Sequence, residues 1–273
     1  MESYALSSGQ AGYDRLRVLA RTRRASTLDL LHRAGLRAGM RCVDMGCGGG
    51  EGTFDIAELA GPEGQVVGID IDEIKLALGR EEAARRGLSN LEFVAANASD
   101  WDEPGGYDFV YSRVMLQHLG RRVEILGRMW KAVRPGGVLA VEDTDFGGLF
   151  CYPANDGFAF YKRMMPLAIA SNGGDALFGL RLYQLFLDLG IPEPQLSLAQ
   201  NVDASGESKT MSLLTLQSVR PAIVKAGLAT EAEVDAATDD LAAFTAAPDT
   251  IMSGPRILQV WARKEMDENQ DIS

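Results

Sequence analysis

Residues 43–50 read Val-Asp-Met-Gly-Cys-Gly-Gly-Gly, a short apolar run that leads through an acid into a glycine-rich loop. Glycine has no Cβ and tolerates positive φ, so the backbone of such a loop can approach a bound molecule closely. The dinucleotide-binding spacing Gly-x-Gly-x-x-Gly, started at the first glycine, requires a glycine at position 51, where the chain has Glu51. The glycines instead follow Asp44 at every second position, at Gly46, Gly48 and Gly50. The pattern therefore favours a nucleotide-type ligand other than a dinucleotide.

A second acid follows the next predicted strand. Residues 65–72 read Gln-Val-Val-Gly-Ile-Asp-Ile-Asp, and the first acid of this run, Asp70, lies twenty residues after Gly50. A carboxylate at the end of a second parallel strand can accept hydrogen bonds from both hydroxyls of a ribose. We favour Asp70, with Ile71 beside it, over Asp72, because Asp70 comes first after the apolar run. Strand, glycine loop, helix, turn, strand and acid together predict a half-site for an adenosine nucleoside.

The composition argues against several classes of protein. The net charge of −11 argues against a nucleic-acid partner, since phosphate binding requires a basic surface. No apolar stretch approaches the roughly 20 residues that span a bilayer, and no cationic segment precedes an apolar core near the N-terminus. The three cysteines, Cys42, Cys47 and Cys151, show no metal-binding spacing. We therefore expect a cytoplasmic protein with no metal, no nucleic acid and no membrane partner.

The basic residues are concentrated at the start of the chain. Residues 1–41 contain eight arginines against three acids. Arg17, Arg21 and Arg24 would share one face of a helix. This face either is solvated or pairs with the acidic remainder of the chain. Alternatively, one arginine of the segment binds a carboxylate of a cofactor or of an acidic substrate.

Predicted strands alternate with predicted helices over the first half of the chain. The strands lie at 41–45, 66–70, 91–95, 107–111 and 138–141. Helical stretches between them imply right-handed crossovers and a mainly parallel sheet. The fold class is therefore α/β, doubly wound.

The whole chain, residues 1–273, is predicted to be one domain. Its predicted parts are N-terminal cap helices in 1–40 (13–23 and 26–34), a ligand-binding core in 41–145, cap helices and a sixth strand in 146–255, a last strand in 256–264 and a tail in 265–273. A capping box, Thr230 with Glu233, is predicted to start one of the later helices.

These motifs resemble those of the class I S-adenosylmethionine (SAM)-dependent methyltransferases. Besides the glycine loop, residues 93–98 resemble the family's third-strand signature, and residues 107–113 resemble its fourth-strand motif. Pro135-Gly136-Gly137 is another recurrent element of the family. The set is similar to the ubiquinone/menaquinone-biosynthesis-like branch of small-molecule methyltransferases. The resemblance implies a Rossmann-like, mainly parallel seven-stranded sheet with a helical cap, and SAM as the cofactor.

The resemblance also implies the residues that bind SAM. Asn97 stands where the family has an aspartate, and its amide oxygen can still accept from the adenine amino group. Arg15, from the family's Arg-Leu pair, and Arg113 are further candidates. The expected cofactor-binding residues are Arg15, Asp44, Gly46, Cys47, Gly48, Gly50, Asp70, Ile71, Asn97, Ala98 and Arg113.

Methyl transfer from a sulfonium is an in-line displacement in which positioning supplies much of the catalysis. Where the acceptor loses a proton, a base is needed near the carboxyl ends of the fourth and fifth strands. His118 and Glu142 are the catalytic candidates. His118 is alternatively a histidine packed under the cofactor, and Glu142 alternatively caps a loop or helix. Four tyrosines are candidates for lining an aromatic acceptor pocket: Tyr4, Tyr13, Tyr152 and Tyr161.

The predicted function is SAM-dependent methyl transfer to a small organic acceptor. The sequence does not distinguish O-, N- and C-methylation, and it leaves open a homodimer through the N-terminal or cap helices. The main alternative is a SAM-binding protein with a non-methylating or regulatory role. A nicotinamide oxidoreductase is disfavoured, because the dinucleotide spacing is absent.

Overall fold

The computed structural model of the chain describes residues 9–266, except the side chains of residues 9–14 and 16. The helices are α1 (Gly9–Ala34), α2 (Glu51–Ala60), α3 (Glu73–Arg86), α4 (Arg122–Ala132), α5 (Asp156–Ala170), α6 (Gly179–Asp188), α7 (Glu207–Lys225) and α8 (Glu231–Ala246). The strands are β1 (Arg41–Met45), β2 (Gln65–Asp70), β3 (Leu91–Ala95), β4 (Tyr107–Arg113), β5 (Val133–Asp145), β6 (Cys151–Tyr152), β7 (Gln195–Ala199), β8 (Val202–Asp203), β9 (Ile251–Ser253) and β10 (Arg256–Arg263).

Seven strands form one sheet in the order β3-β2-β1-β4-β5-β10-β7. The five strands from β3 to β5 are parallel, and Val43 of β1 pairs with Val67 on one side and Val110 on the other. β10 is antiparallel to both of its neighbours. The order reverses at β1 and β4, which places their carboxyl ends at the point where open α/β sheets bind ligands. The predicted Rossmann-like, mainly parallel seven-stranded sheet is confirmed.

The central strands are apolar on both faces because helices cover both faces of the sheet. Successive side chains of a strand point to opposite faces. Cys42 and Tyr111 therefore pack with Leu30 of α1 on one side. Val43 and Val110 belong to the cluster on the other side, which includes residues of α4 and α6.

The N-terminal segment is one helix, α1, and the prediction of two helices at 13–23 and 26–34 is wrong. Ser26 was the expected start of the second helix. Its hydroxyl instead donates to the carbonyl of Arg23 at 2.9 Å, and Thr22 donates to the carbonyl of Leu19 in the same way. A hydroxyl that bonds back to the preceding turn does not interrupt a helix.

The cap has its own apolar core. α5, α7 and α8 contribute Phe158, Leu216 and Leu241 to a cluster separate from those of the main sheet. The predicted capping box starts α8, with the backbone N–H of Thr230 donating to Glu233 at 2.8 Å. Sequence analysis missed a small antiparallel sheet, β6-β9-β8, because its strands have only two or three residues. None of the helices in the described part of the chain is long and apolar enough to cross a membrane.

Candidate active site

A cavity of about 590 Å³ lies at the carboxyl ends of β1, β2 and β4 and extends under the cap. On the sheet side, the glycine loop, Asp70 and the segment after β4 form its wall. On the other side, α1, α5 and α7 contribute side chains from Arg15, Tyr161 and Thr215. The cavity therefore joins the predicted nucleoside half-site to the helices of the cap.

The glycine loop needs glycine at several positions. Gly46, Gly48 and Gly50 have φ of 76°, 58° and 89°, in the region that L side chains rarely adopt. A Cβ on Gly46 would lie 2.5 Å from Sδ of Met115. The first two of these glycines line the cavity, with Cys47 between them. Gly50 does not line it, because this residue turns the chain into α2 and packs against Phe93.

Asp70 connects the two halves of the predicted nucleoside site. Its Oδ2 accepts from the backbone N–H of Gly48 at 2.8 Å, and its Oδ1 accepts from that of Asp72 at 2.9 Å. Ile71 is next to it at the cavity, with 71% of its surface exposed. Sequence analysis missed Lys75, which is buried at the cavity and forms an ion pair with Asp72 at 3.1 Å. Their spacing of three residues at the start of a helix was the available signal.

Asp44 does not line the cavity, unlike most of the predicted cofactor residues. It is buried and accepts from the Thr53 hydroxyl at 2.7 Å. Burial raises the pKa of the Asp44 carboxyl to about 6, although the Thr53 bond and the nearby Arg113 oppose the rise. Asp44 therefore ties the end of β1 to α2.

Asn97 and Ala98 line the cavity beyond β3. The side-chain oxygen of Asn97 accepts from the backbone N–H of Ser99 at 2.9 Å. A carbonyl oxygen has two lone pairs, so a second donor can still reach it. The proposed contact with an adenine amino group stays a prediction.

His118 lies at the cavity wall in a 3₁₀ turn, Leu116–His118. Burial lowers the pKa of its imidazole to about 3, helped by the positive charges of Arg15 and Lys75. The ring is therefore neutral at physiological pH and is a weak proton acceptor. Its neighbour Gln117, which sequence analysis missed, also lines the cavity and accepts from the Thr144 hydroxyl.

Glu142 is buried behind the cavity wall and does not line the cavity. Its carboxylate accepts from Thr27 at 2.6 Å, from Gln259 at 2.9 Å and from the Tyr111 hydroxyl. These partners belong to α1, β10 and β4, so Glu142 connects three elements. Asp143 is the next residue of the strand, so its side chain points to the opposite face, where it accepts from the backbone N–H of Gln117 at 3.1 Å. This geometry favours a structural role for Glu142 over the predicted catalytic one.

Five of the six arginines of α1 fall into two groups, and the sixth, Arg33, pairs with Asp29 of the same helix. Arg17, Arg21 and Arg24 form the first group. Arg17 pairs with Glu51 at 3.3 Å, Arg21 pairs with Glu207 at 2.8 Å, and Arg24 pairs with Asp55 at 2.8 Å. This group therefore pairs with the acidic remainder of the chain. Arg15 and Arg23 face the cavity instead. Sequence analysis did not single out Arg23, because its role depends on the cap helices that cover it.

Of the remaining predicted residues, some line the cavity and others do not. Arg113 lines the cavity and donates to the Thr27 hydroxyl at 3.3 Å. Tyr161 lines it as well, whereas Tyr152 is largely exposed and does not. Tyr4 and the side chain of Tyr13 lie outside the described part of the chain.

Comparisons with known proteins agree with this geometry. The family model for a methyltransferase domain matches residues 36–171. The demethylmenaquinone methyltransferase of Geobacillus stearothermophilus is 30% identical over 161 residues, which cover 58% of this chain and 68% of the relative. Two solved structures are similar in fold. The Bacillus subtilis protein YcgJ has a TM-score of 0.60 and 12% sequence identity, and the match covers 89% of this chain and 100% of YcgJ. Phosphoethanolamine N-methyltransferase 2 of Haemonchus contortus, solved with SAM bound, has a TM-score of 0.57 and 19% identity, and the match covers 89% of this chain and 53% of the other.

The chain belongs to the class I SAM-dependent methyltransferases. Within that family it falls in the ubiquinone/menaquinone-biosynthesis-like branch. It is an enzyme of the methyltransferase class, and SAM is its cofactor. The predicted family, enzyme class and cofactor are confirmed, and the nicotinamide oxidoreductase is no longer a candidate.

Proposed function

We propose that this enzyme methylates a small organic acceptor that binds between the glycine loop and the cap helices α5 and α7. The observation that supports this proposal is the continuity of the cavity, which runs from Gly46 and Asp70 on the sheet to Tyr161 and Thr215 in the cap. A volume of about 590 Å³ is within the range of small-molecule sites. The cavity therefore has room for more than a nucleoside.

The sheet end of the cavity suits SAM. Gly46 and Gly48 have positive φ and line the cavity, so their backbone can lie directly against a ligand. We propose that Asp70 holds the ribose and that Asn97 with Ala98 contacts the adenine, while Cys47 and Ile71 complete the walls. When bound, SAM supplies a methyl group on a sulfonium that is already activated for transfer.

The cap end excludes water and positions the acceptor. Apolar side chains from several elements line it: Leu19, Phe146, Met165, Ile169 and Met211. We propose that the neutral His118 holds the acceptor, because an imidazole with a pKa of about 3 takes up a proton poorly. Such a wall suits an acceptor whose reacting atom carries no proton at neutral pH, and positioning then supplies most of the rate.

The similarity to the relatives does not identify the acceptor of this enzyme. The family model matches residues 36–171, whereas α1 ends at Ala34 and α7 begins at Glu207. Two of the three helices that surround the acceptor end therefore lie outside the matched segment. We infer that residues 146–255 form a cap on the core at 41–145 within one methyltransferase domain. The free Cys42, Cys47 and Cys151 suit a reducing cytoplasm.

Mass spectrometry tests the proposal directly. The enzyme is incubated with SAM and the small-molecule fraction of its source cells, and products that have gained one methyl group are sought. We expect such a product together with S-adenosylhomocysteine. Calorimetric binding of S-adenosylhomocysteine without any methylated product would favour the non-methylating alternative.

A further inference from the structure

Two guanidinium groups at the cap end of the cavity have no anionic partner within the described residues. Arg15 is 9% exposed, and its Nε makes no hydrogen bond although it is shielded from solvent. Nη1 of Arg23 is shielded and unbonded in the same way. Both side chains line the cavity. Guanidinium nitrogens that are shielded from water and lack a hydrogen-bond partner are costly, so the arrangement suggests that a bound anion supplies the partner.

Three other arginines of the same helix show that carboxylates of other elements are within reach of α1. Arg17, Arg21 and Arg24 each form an ion pair with an acid of another element. The two that face the cavity form none with a described residue. Burial lowers the pKa of Arg23 to about 10, and the nearby positive charge of Arg113 acts in the same direction. An anion placed in the cavity would relieve both effects.

Hydroxyl groups line the same cavity as the two arginines. Tyr161, Ser212 and Thr215 are buried at the same part of the cavity. Burial raises the pKa of the Tyr161 hydroxyl to about 12, while its contact with Ser212 and the charges of Arg15 and Arg23 oppose the rise. The hydroxyl is therefore protonated at neutral pH and can donate. Forked guanidinium donors next to hydroxyl donors form a suitable environment for a carboxylate or a phosphate.

One SAM molecule does not supply an anionic partner for every arginine at the cavity. SAM brings a single carboxylate, and Arg15 is its expected partner by resemblance to the family. Arg113 already faces the charges of Glu142 and Asp44 within the protein. Arg23 is then left for a second anion, and its electrostatic neighbours include Glu142 of β5 and Tyr161 of α5.

We propose that the methyl acceptor is an anion with an apolar body, and that its carboxylate or phosphate group binds Arg23, with the Tyr161 hydroxyl beside it. The body packs against Met165, Ile169 and Met211. Anchoring the charged end in the cap directs the rest of the acceptor towards the glycine loop. This inference rests on the proposed function, because it concerns the acceptor end of the same cavity.

Calorimetry with the enzyme saturated with S-adenosylhomocysteine tests the proposal. The probes are 1-naphthoate, 1-naphthyl phosphate and the neutral 1-naphthamide. We expect one or both of the anions to bind at least tenfold more tightly than the amide. The anion that binds more tightly shows whether the site prefers a carboxylate or a phosphate. In Arg23→Gln this preference should disappear. Arg21→Gln removes the same charge from an exposed position of the same helix, and it should keep the preference.

Equal binding of anions and amide by the wild-type enzyme would overturn the proposal, and so would a preference that survives in Arg23→Gln. Failure of both anions to bind up to their solubility limits would also overturn it. S-adenosylhomocysteine binding by each variant checks that it is folded. Where Arg23→Gln does not fold, Arg23→Lys replaces it, and we expect a reduced preference because the forked donors are lost. Failure of the wild-type enzyme to bind S-adenosylhomocysteine would instead contradict the assigned cofactor site.

Discussion

Gly48 donates its backbone N–H to Oδ2 of Asp70 at 2.8 Å, so the acid that ends β2 also holds the glycine loop that follows β1. The other oxygen of Asp70 accepts from the backbone N–H of Asp72 at 2.9 Å. Each carboxylate oxygen has a second lone pair, which leaves acceptors for a ligand in the cavity. One side chain therefore shapes the loop and presents the groups that we assign to the ribose.

Removing this carboxylate should weaken cofactor binding. We expect Asp70→Ala to lower the affinity for S-adenosylhomocysteine at least tenfold, on the order of 1.4 kcal/mol or more, because the ribose contact and the bond to Gly48 are both lost. Titration calorimetry measures the change. Asp102→Ala removes an exposed acid outside the cavity and serves as the control. An unchanged affinity in Asp70→Ala would show that the ribose is held elsewhere.

A methyl group on Gly46 should disturb the loop more than the same group on Gly39. Both glycines have positive φ, 76° and 83°. A Cβ on Gly39 meets no atom within 4 Å, whereas on Gly46 it would overlap Met115. We expect Gly39→Ala to cost about 1–2 kcal/mol of backbone strain. Gly46→Ala should cost a further ~1–3 kcal/mol of overpacking and also weaken S-adenosylhomocysteine binding. Urea unfolding and calorimetry separate the effects, and equal losses at both sites would contradict the packing argument.

The activity should show no titration of His118 near pH 6.5. With a pKa of about 3, its imidazole stays neutral from pH 5 to pH 8. We expect His118→Gln to lower kcat/KM for methyl transfer without changing the shape of the pH profile. The measurement compares kcat/KM against pH in both enzymes. An inflection near pH 6.5 that is present in the wild type and absent from the variant would support the predicted general base instead.

Glu142 and Tyr111 should stabilise the folded protein through the hydrogen bond between them. Their hydrogen bond joins β5 to β4 in the interior. We expect Glu142→Gln and Tyr111→Phe each to lower the free energy of unfolding by about 1–3 kcal/mol. The double variant should lose less than their sum, because the second change removes a bond that the first has already weakened. Denaturant unfolding of the four proteins completes the cycle. Native stability with lost methyl transfer in Glu142→Gln would point to the catalytic role.

Asp143 should make the protein less stable as the pH rises. Burial raises the pKa of this carboxyl to about 7 from its ordinary 3.8. Between these values the folded state holds a proton that the unfolded state lacks, so the free energy of unfolding falls with increasing pH and levels off above pH 7. Between pH 5 and pH 8 we expect a contribution of about 1–3 kcal/mol. Urea unfolding at both pH values should show a smaller change in Asp143→Asn, and an equal change would contradict the raised pKa.

A helix or strand was predictable from the sequence when the residues that determine it lie next to one another in the chain. β1 and β3 fall at the predicted residues and β10 ends one residue before its predicted limit, because short runs rich in apolar side chains mark strands without help from distant parts of the chain. Ser26 is an ambiguous local signal, since a serine caps a helix or bonds back within one depending on its surroundings. The strand β9 has three residues, too few for a periodic pattern, and it exists only through its pairing with β6 and β8.

The sequence by itself determined the family and the parallel sheet, and it located most of the residues that line the sheet end of the cavity. Those features follow from short motifs such as Asp44 to Gly50, whose backbone conformations depend on residues next to one another. The tertiary structure alone decided which polar groups face the cavity. It placed Asp44 and Glu142 behind the wall and brought Arg23 and Tyr161 to its surface, although 138 positions separate those two in the chain. Packing of α1 against the cap sets that difference, and no local pattern in the sequence encodes it.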